Sequence, residues 1–303
     1  MDRTTRTVAG AAPSGEAYRG EDNRRGPLRV IVLAGGKADT DPLARACGMS
    51  HRCLIPLAGR PLVAHVLQTA ALHPQVESLA VSAEREAFGG LFDVLSQVPG
   101  RGIVKLVEAR ANLVDSIAAA AQGWDGPLLV TTADHALLAP ASIDAMIAAL
   151  DHAEVAVAMA TRAAVLAADP GGARAFHAFS DDAYAACNLY AVAGAPALRA
   201  AEVFRGGGRF AAGAGPNPWR VWRAFGLVDL VLLALRAVSL PGAMERVSRR
   251  LGLRVVPVLL GDGSQAIDVD DARIHAVVEA MLAGEKEHRP AARTAAPPLA
   301  NAG

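Results

Sequence analysis

Apolar runs and polar breaks alternate along most of the chain. Residues 28–34 read Leu-Arg-Val-Ile-Val-Leu-Ala, a short, nearly continuous apolar run that stops at Gly35-Gly36. A run of that length bounded by glycine predicts a buried strand. Residues 61–72 read as a helix, with Pro61 in the first position, where its missing N–H costs nothing. The pattern continues with strand 77–82, helix 84–97, strand 102–107, helix 113–122, strand 127–132, helix 142–150 and strand 155–161. Strands alternating with helices predict an α/β fold: a three-layer, doubly wound, mostly parallel sheet with helices on both faces.

The second half is less regular. Residues 183–192 read as a strand leading into helix 196–203. Helices are expected at 218–235 and 241–251, joined at Ser239-Leu240-Pro241-Gly242. A strand follows at 253–260, Ile267 ends a short strand, and 271–282 is an amphipathic helix. Residues 1–27 are rich in Arg, Gly, Ser and Asp and read as a loose arm. Residues 285–303, rich in Ala, Pro and charge, read as a loose tail. The expected domain is therefore 28–284.

Composition narrows the function. With 303 residues and 52% hydrophobic content, the chain has enough apolar surface for a packed core. Lys plus Arg equals Asp plus Glu at 30 each, so no global field draws it to nucleic acid or an acidic membrane. Aromatics at 4% are too few for a base-stacking platform. Cys47, Cys53 and Cys187 form no C-x-x-C and are odd in number, which fits reduced thiols. The Arg-rich start has no apolar core of a secretory signal. The longest apolar run, 225–240, is broken by Asp229 and Arg236 and falls short of the ~20 residues a membrane span needs. A cytoplasmic location is expected.

The candidate chemistry begins where the first strand ends. Leu33-Ala34-Gly35-Gly36 would bring backbone N–H groups to the carboxyl edge of the sheet, where ligands of such folds bind. Glycines let a backbone approach phosphates closely. Neither G-K-[ST] nor G-x-G-x-x-G is present. Further on comes His51-Arg52-Cys53-Leu54-Ile55-Pro56-Leu57-Ala58-Gly59-Arg60-Pro61-Leu62. Together, these two blocks resemble the nucleotidyltransferases of GT-A type, including molybdopterin guanylyl- and cytidylyltransferase-like proteins and sugar-phosphate nucleotidyltransferases. The resemblance covers 28–162 well and 183–282 loosely. Arg52 stands where that family usually has Lys. The loop from Lys37 to Gly48 is longer than the family's and carries Asp39 and Asp41; Arg45 is a candidate for the family's loop arginine.

The resemblance implies roles. Leu33, Ala34, Gly35 and Gly36 would hold the base and phosphates, and Lys37 and Arg52 would act as catalytic cations on the triphosphate. Asp134, delivered by the apolar strand before it, would hold Mg2+; its alternative is a helix cap. His135 reads as a structural or surface residue, not a ligand. Asn112 and Ser116 would contact base or ribose, or simply cap the helix from 113. Asn188 would serve the acceptor site, or a turn. In Asp268-Val269-Asp270-Asp271, Asp268 is the candidate second metal ligand and Asp270 the helix cap. Residues 204–250 exceed a minimal domain of this type and form a helical insertion. With Trp219, Arg220, Trp222 and Arg223 opening an apolar stretch, 219–240 packs on the core or on a second copy, or lies on a membrane surface.

The implied activity is transfer of a nucleoside monophosphate from an NTP, CTP or GTP, to a phosphorylated small molecule, with release of pyrophosphate. No nucleic-acid partner is expected. The alternatives are a GT-A glycosyltransferase using an NDP-sugar, for which Ala133-Asp134-His135 supplies only one carboxylate, and a non-catalytic nucleotide-binding relative.

Overall fold

The computed structural model describes residues 26–36, 39, 41–99, 103–172, 175–204 and 236–288. Strand β1 (Leu28–Leu33) lies inside the sheet, flanked by β4 (Val76–Ala83) and β6 (Leu128–Thr132), both parallel to it. Beyond β4 runs parallel β5 (Ile103–Glu108). On the other side, β9 (Ala183–Val192) is antiparallel to both β6 and β7 (Val155–Thr161), and β10 (Val255–Leu259) closes that edge parallel to β7. The order is β10-β7-β9-β6-β1-β4-β5, with the short β8 (His177–Ala178) beside β9. This is the mostly parallel sheet that the alternating pattern predicts.

Both faces are covered because successive residues of a strand point to opposite sides. From β1, Val30 and Val32 pack with Val63, Val66 and Leu67 of α2 (Leu62–Leu72), Leu91 of α3 (Phe88–Ser96) and Ile143 and Met146 of α5 (Pro140–Ala149). Ile31, between them, packs with Ile117 and Ala120 of α4 (Leu113–Ala121). A fully buried side chain of this size contributes about 1.5–3 kcal/mol. A third cluster joins Leu43 and Ala44 of α1 (Pro42–Ala46), Leu57, Leu62, and Ile274 and Val278 of the long helix Ala272–His288, which we call α8.

A two-residue hairpin connects β2 (Pro56–Leu57) to β3 (Arg60–Pro61). Both loop residues have positive φ, 49° at Ala58 and 83° at Gly59. That is the turn whose twist matches paired strands, and it favours glycine at its second place.

The structure departs from the sequence pattern at several points. Helix 84–97 is split into a 3-10 turn, Arg85–Ala87, and α3. Helix 142–150 begins earlier, at Pro140, so Ser142 lies inside it. Helix 196–203 is 3-10 in character, over Ala195–Phe204. A further helix, α6 (Arg162–Ala168), follows β7 directly, capped by the Thr161 hydroxyl. Ile267 does not end a strand; it follows a 3-10 turn, Gly263–Ala266. Helix α8 runs to His288, past the expected helix end at 282.

Helix 218–235, the Trp-Arg stretch at 219–223 and most of the 204–250 insertion lie outside the described residues, as do 1–25 and 289–303. The end of the insertion is described. It is α7 (Leu240–Leu251), capped by Ser239 and packed through Met244 and Val247 against the face that carries Ile117. No helix among the described residues is long and apolar enough to cross a membrane.

Candidate active site

Three neighbouring strands run out at the carboxyl edge: β1 towards Gly35-Gly36, β4 into Glu84 and β6 towards Asp134. Gly36 has a φ of 130°, a conformation that side-chain-bearing residues rarely adopt. Its N–H donates to Glu84 Oε1 at 3.1 Å, and its carbonyl accepts from the Arg52 backbone N–H at 2.9 Å. The Leu33 carbonyl accepts from Ala133 N–H at 2.9 Å, and Ala34 N–H donates to the Ser82 carbonyl at 2.8 Å. Much of the backbone expected to meet a nucleotide is thus already engaged in shaping the loop. Lys37 lies outside the described residues.

Arg52 is the electrostatic centre. Its Nε donates to Asp41 Oδ2, and its Nη1 donates to Asp134 Oδ2 at 3.1 Å and Asp270 Oδ1 at 2.7 Å. The guanidinium side chain is only 15% exposed. Burial works against its charge, but Asp41, Asp270 and Asp134 outweigh that and hold its proton more firmly than usual. Asp41 is fixed in turn as the N-cap of α1, accepting from Ala44 N–H at 2.9 Å. Burial pushes the Asp134 carboxyl up and the Asp270 charge adds to it, while the Thr132 hydroxyl and Arg52 oppose them without cancelling the rise.

Asp268 is placed differently from Asp270. It is buried, and its Oδ2 accepts from Asn188 Nδ2 at 2.8 Å. The helix cap is Asp271, whose Oδ1 accepts from Ile274 N–H at 2.8 Å, so the capping expected of Asp270 falls one residue later. Asp270 is thereby released to face Arg52. Asn112 and Ser116 do what their capping alternative requires. Asn112 Oδ1 accepts from Asp115 N–H at 3.0 Å; Ser116 Oγ accepts from Arg110 N–H at 2.8 Å and donates to the Asn112 carbonyl at 3.0 Å. Arg45 donates to the Asp39 carbonyl at 2.6 Å. His135 is fully buried, with Nδ1 3.1 Å from Thr131 Oγ1, in keeping with a structural residue.

The acidic pair at this edge fits a hard divalent cation. Asp134 and Asp270 offer only oxygen donors, and Asp134 Oδ1 is buried without a hydrogen bond of ordinary geometry among the described residues. Mg2+ takes one or two carboxylates and completes its shell with phosphates and water. Among the described residues no cluster of three or more His, Cys, Asp or Glu side chains is arranged to hold a metal ion, and Asp268, the second ligand expected from the sequence, is hydrogen-bonded to Asn188.

A parallel sheet with a glycine loop and a carboxylate at its carboxyl edge is the architecture of nucleotide-handling α/β folds. The chain belongs to the family of MobA-like NTP transferase domains, whose model matches residues 30–214. It is 41% identical over 86 residues to the molybdenum cofactor guanylyltransferase of Rhodobacter capsulatus, covering 27% of this chain and 40% of that protein. It is 32% identical over 133 residues to the bifunctional protein GlmU of Novosphingobium aromaticivorans, covering 42% of this chain and 27% of that protein. The chain therefore spans well under half of these curated relatives.

Among solved structures, the fold is shared with a hypothetical transferase of Thermus thermophilus: TM-score 0.65, 21% identity, 82% of this chain and 99% of that one. It is also shared with a 4-diphosphocytidyl-2C-methyl-D-erythritol synthase of Anaerococcus prevotii: TM-score 0.52, 11% identity, 85% of this chain and 96% of that one.

Asp41, Glu84 and the facing role of Asp270 are not apparent from sequence. Glu84 closes a strand as Asp134 does, and that shared position was the available signal.

Proposed function

We propose that this chain transfers a nucleoside monophosphate from an NTP, CTP or GTP, to a phosphorylated small-molecule acceptor and releases pyrophosphate. The observation that carries the reading is Arg52 bridging Asp134 and Asp270 at the edge where the Gly35-Gly36 loop ends. The acceptor phosphate attacks the α-phosphorus in line with the departing pyrophosphate. Arg52, and Lys37, next in sequence to Gly36, supply positive charge to phosphate oxygens as the bond breaks. Gly36, tied to Glu84, lets the chain pass close to the phosphates without a side chain in the way. Asp134 and Asp270 would hold Mg2+, which when bound neutralises phosphate charge. Asn188 and the buried Asp268 keep the neighbouring acceptor side in shape. The nucleotide reading extends to a cytoplasmic setting and, for the 204–250 insertion, to a contact with a second copy or a membrane surface.

The test is a pyrophosphate-release screen crossing four NTPs with phosphorylated acceptors in Mg2+. Release with one NTP, reduced about 100-fold or more by Asp134→Ala, supports the reading. Turnover of an NDP-sugar without pyrophosphate would point to the glycosyltransferase. No release with any pair, while NTP binding survives Asp134→Ala, would overturn it in favour of a non-catalytic binder.

A further inference from the structure

Arg52 presents two separate edges of one planar guanidinium to acidic partners. Nε faces Asp41, 6% exposed and locked as a helix cap. Nη1 faces Asp134 and the 54% exposed Asp270 together. A lysine has a single ammonium and cannot divide its donors in this fixed way. Two carboxylates on one nitrogen repel each other unless a cation lies between them. In this structure, that cation is the guanidinium.

The same two carboxylates are the pair suited to a divalent ion. A guanidinium and a doubly charged ion cannot share them without strong repulsion. The Arg52 stem also lies against the glycine loop: a Cβ on Gly36 would sit 3.4 Å from Arg52 Cβ. The root of the Arg52 side chain is therefore beside the backbone where phosphates would lie, within reach of an Nη end released from Asp134 and Asp270.

We propose that Arg52 is the resident counter-cation of Asp134 and Asp270, and that it exchanges them for nucleotide phosphates by pivoting about an Nε held by Asp41. The proposal rests on the nucleotidyltransferase reading for what receives the released end. Its resting half stands without nucleotide. It gives Asp41 a positioning role and makes Arg52 a gate on the cation site.

The experiment uses Mn2+ alone, followed by the electron paramagnetic resonance of the free ion, on the full chain without nucleotide. Arg52→Gln is expected to bind Mn2+ about tenfold more tightly than wild type or more, since the internal competitor is gone. The double variant Arg52→Gln with Asp134→Asn loses that gain. Equal or weaker binding in Arg52→Gln, or a gain that survives Asp134→Asn, overturns the proposal.

Should Arg52→Gln fail to fold, the wild-type chain answers by NMR. Its Arg52 Nε–H resonance, assigned by its loss in Arg52→Lys, persists on adding Mg2+ and a non-hydrolysable GTP or CTP analogue, while the Nη resonances shift. Once shifts elsewhere in the spectrum show that the analogue binds, loss of the Nε–H signal, or no Nη response, overturns the pivot; an analogue that does not bind fails the functional reading instead. A tighter Mn2+ site in a chain that releases no pyrophosphate would fail the functional reading and leave the counter-cation in place.

Discussion

Asn188 reaches Asp268 from a left-handed backbone, with a φ of 45° and Nδ2 2.8 Å from the carboxylate. Asn and Asp both tolerate that conformation, so exchanging them isolates charge. Asn188→Asp would set two carboxylates together where Asp268 is only 3% exposed. A loss of about 3–5 kcal/mol is expected at neutral pH. The shared pair takes up a proton more readily when folded, so the loss fades as the pH falls and is full above its raised value. Denaturant unfolding at pH 7.5 and pH 5 checks this; an equal gap at both would refute it.

Asp41 titrates in the opposite sense. Burial alone would raise it, but the Ala44 N–H and Arg52 outweigh burial and hold the carboxyl below its ordinary 3.8. Its contribution is therefore present above that value and lost as the pH falls through the lower folded one. Asp41→Asn keeps the helix cap and removes the charge facing Arg52, at a cost of about 1–3 kcal/mol at pH 7. The gap to wild type should narrow near pH 3, read by chemical denaturation of both proteins.

The two loop glycines should respond differently to a methyl group. Gly36 has a φ of 130°, so Gly36→Ala is expected to cost about 1–3 kcal/mol. Gly35 has no positive φ, and a Cβ there would meet Glu84 Oε1 at 3.5 Å, an ordinary contact. Gly35→Ala should stay within about 0.5 kcal/mol. Thermal unfolding of the two variants side by side decides it.

Thiol reactivity follows exposure. Cys47 is exposed, while Cys53 and Cys187 are buried. Burial, aided by the charge of Glu84, pushes the Cys53 thiol up to about 12, leaving almost no thiolate at pH 8. A chromogenic disulfide reagent should therefore titrate one thiol promptly in the native chain, and the other two only after denaturation. Rapid reaction at Cys53 would mean that the segment from 52 to 54 opens.

The sheet was readable because its signals are local. An apolar run ending in Gly35-Gly36, or in Asp134, names both a strand and the residue at its carboxyl edge. The α6 helix was not readable: Arg162–Ala168 continues β7 without a break, and only the Thr161 cap marks its start. Ile267 misled because Ala-Ile-Asp-Val alternates like a strand, while Gln265 holds the preceding turn against Ser142 and Leu137. The site's partnerships were hidden for a different reason. Glu84 meets Gly36 across 48 positions and Asp270 meets Arg52 across 218, separations on which one-dimensional patterns carry no information. Capping of α8 by Asp271, one residue beyond the expected cap, decided which aspartate faced Arg52.

That long separation also gives the site an order of birth. Arg52 and Asp41 are only 11 residues apart, so both are present early in synthesis. Asp134 joins after 82 positions, and Asp270 after 218. Contacts of such range are slow to close. The cleft therefore lacks its last carboxylate until nearly all of the described fold has been synthesised.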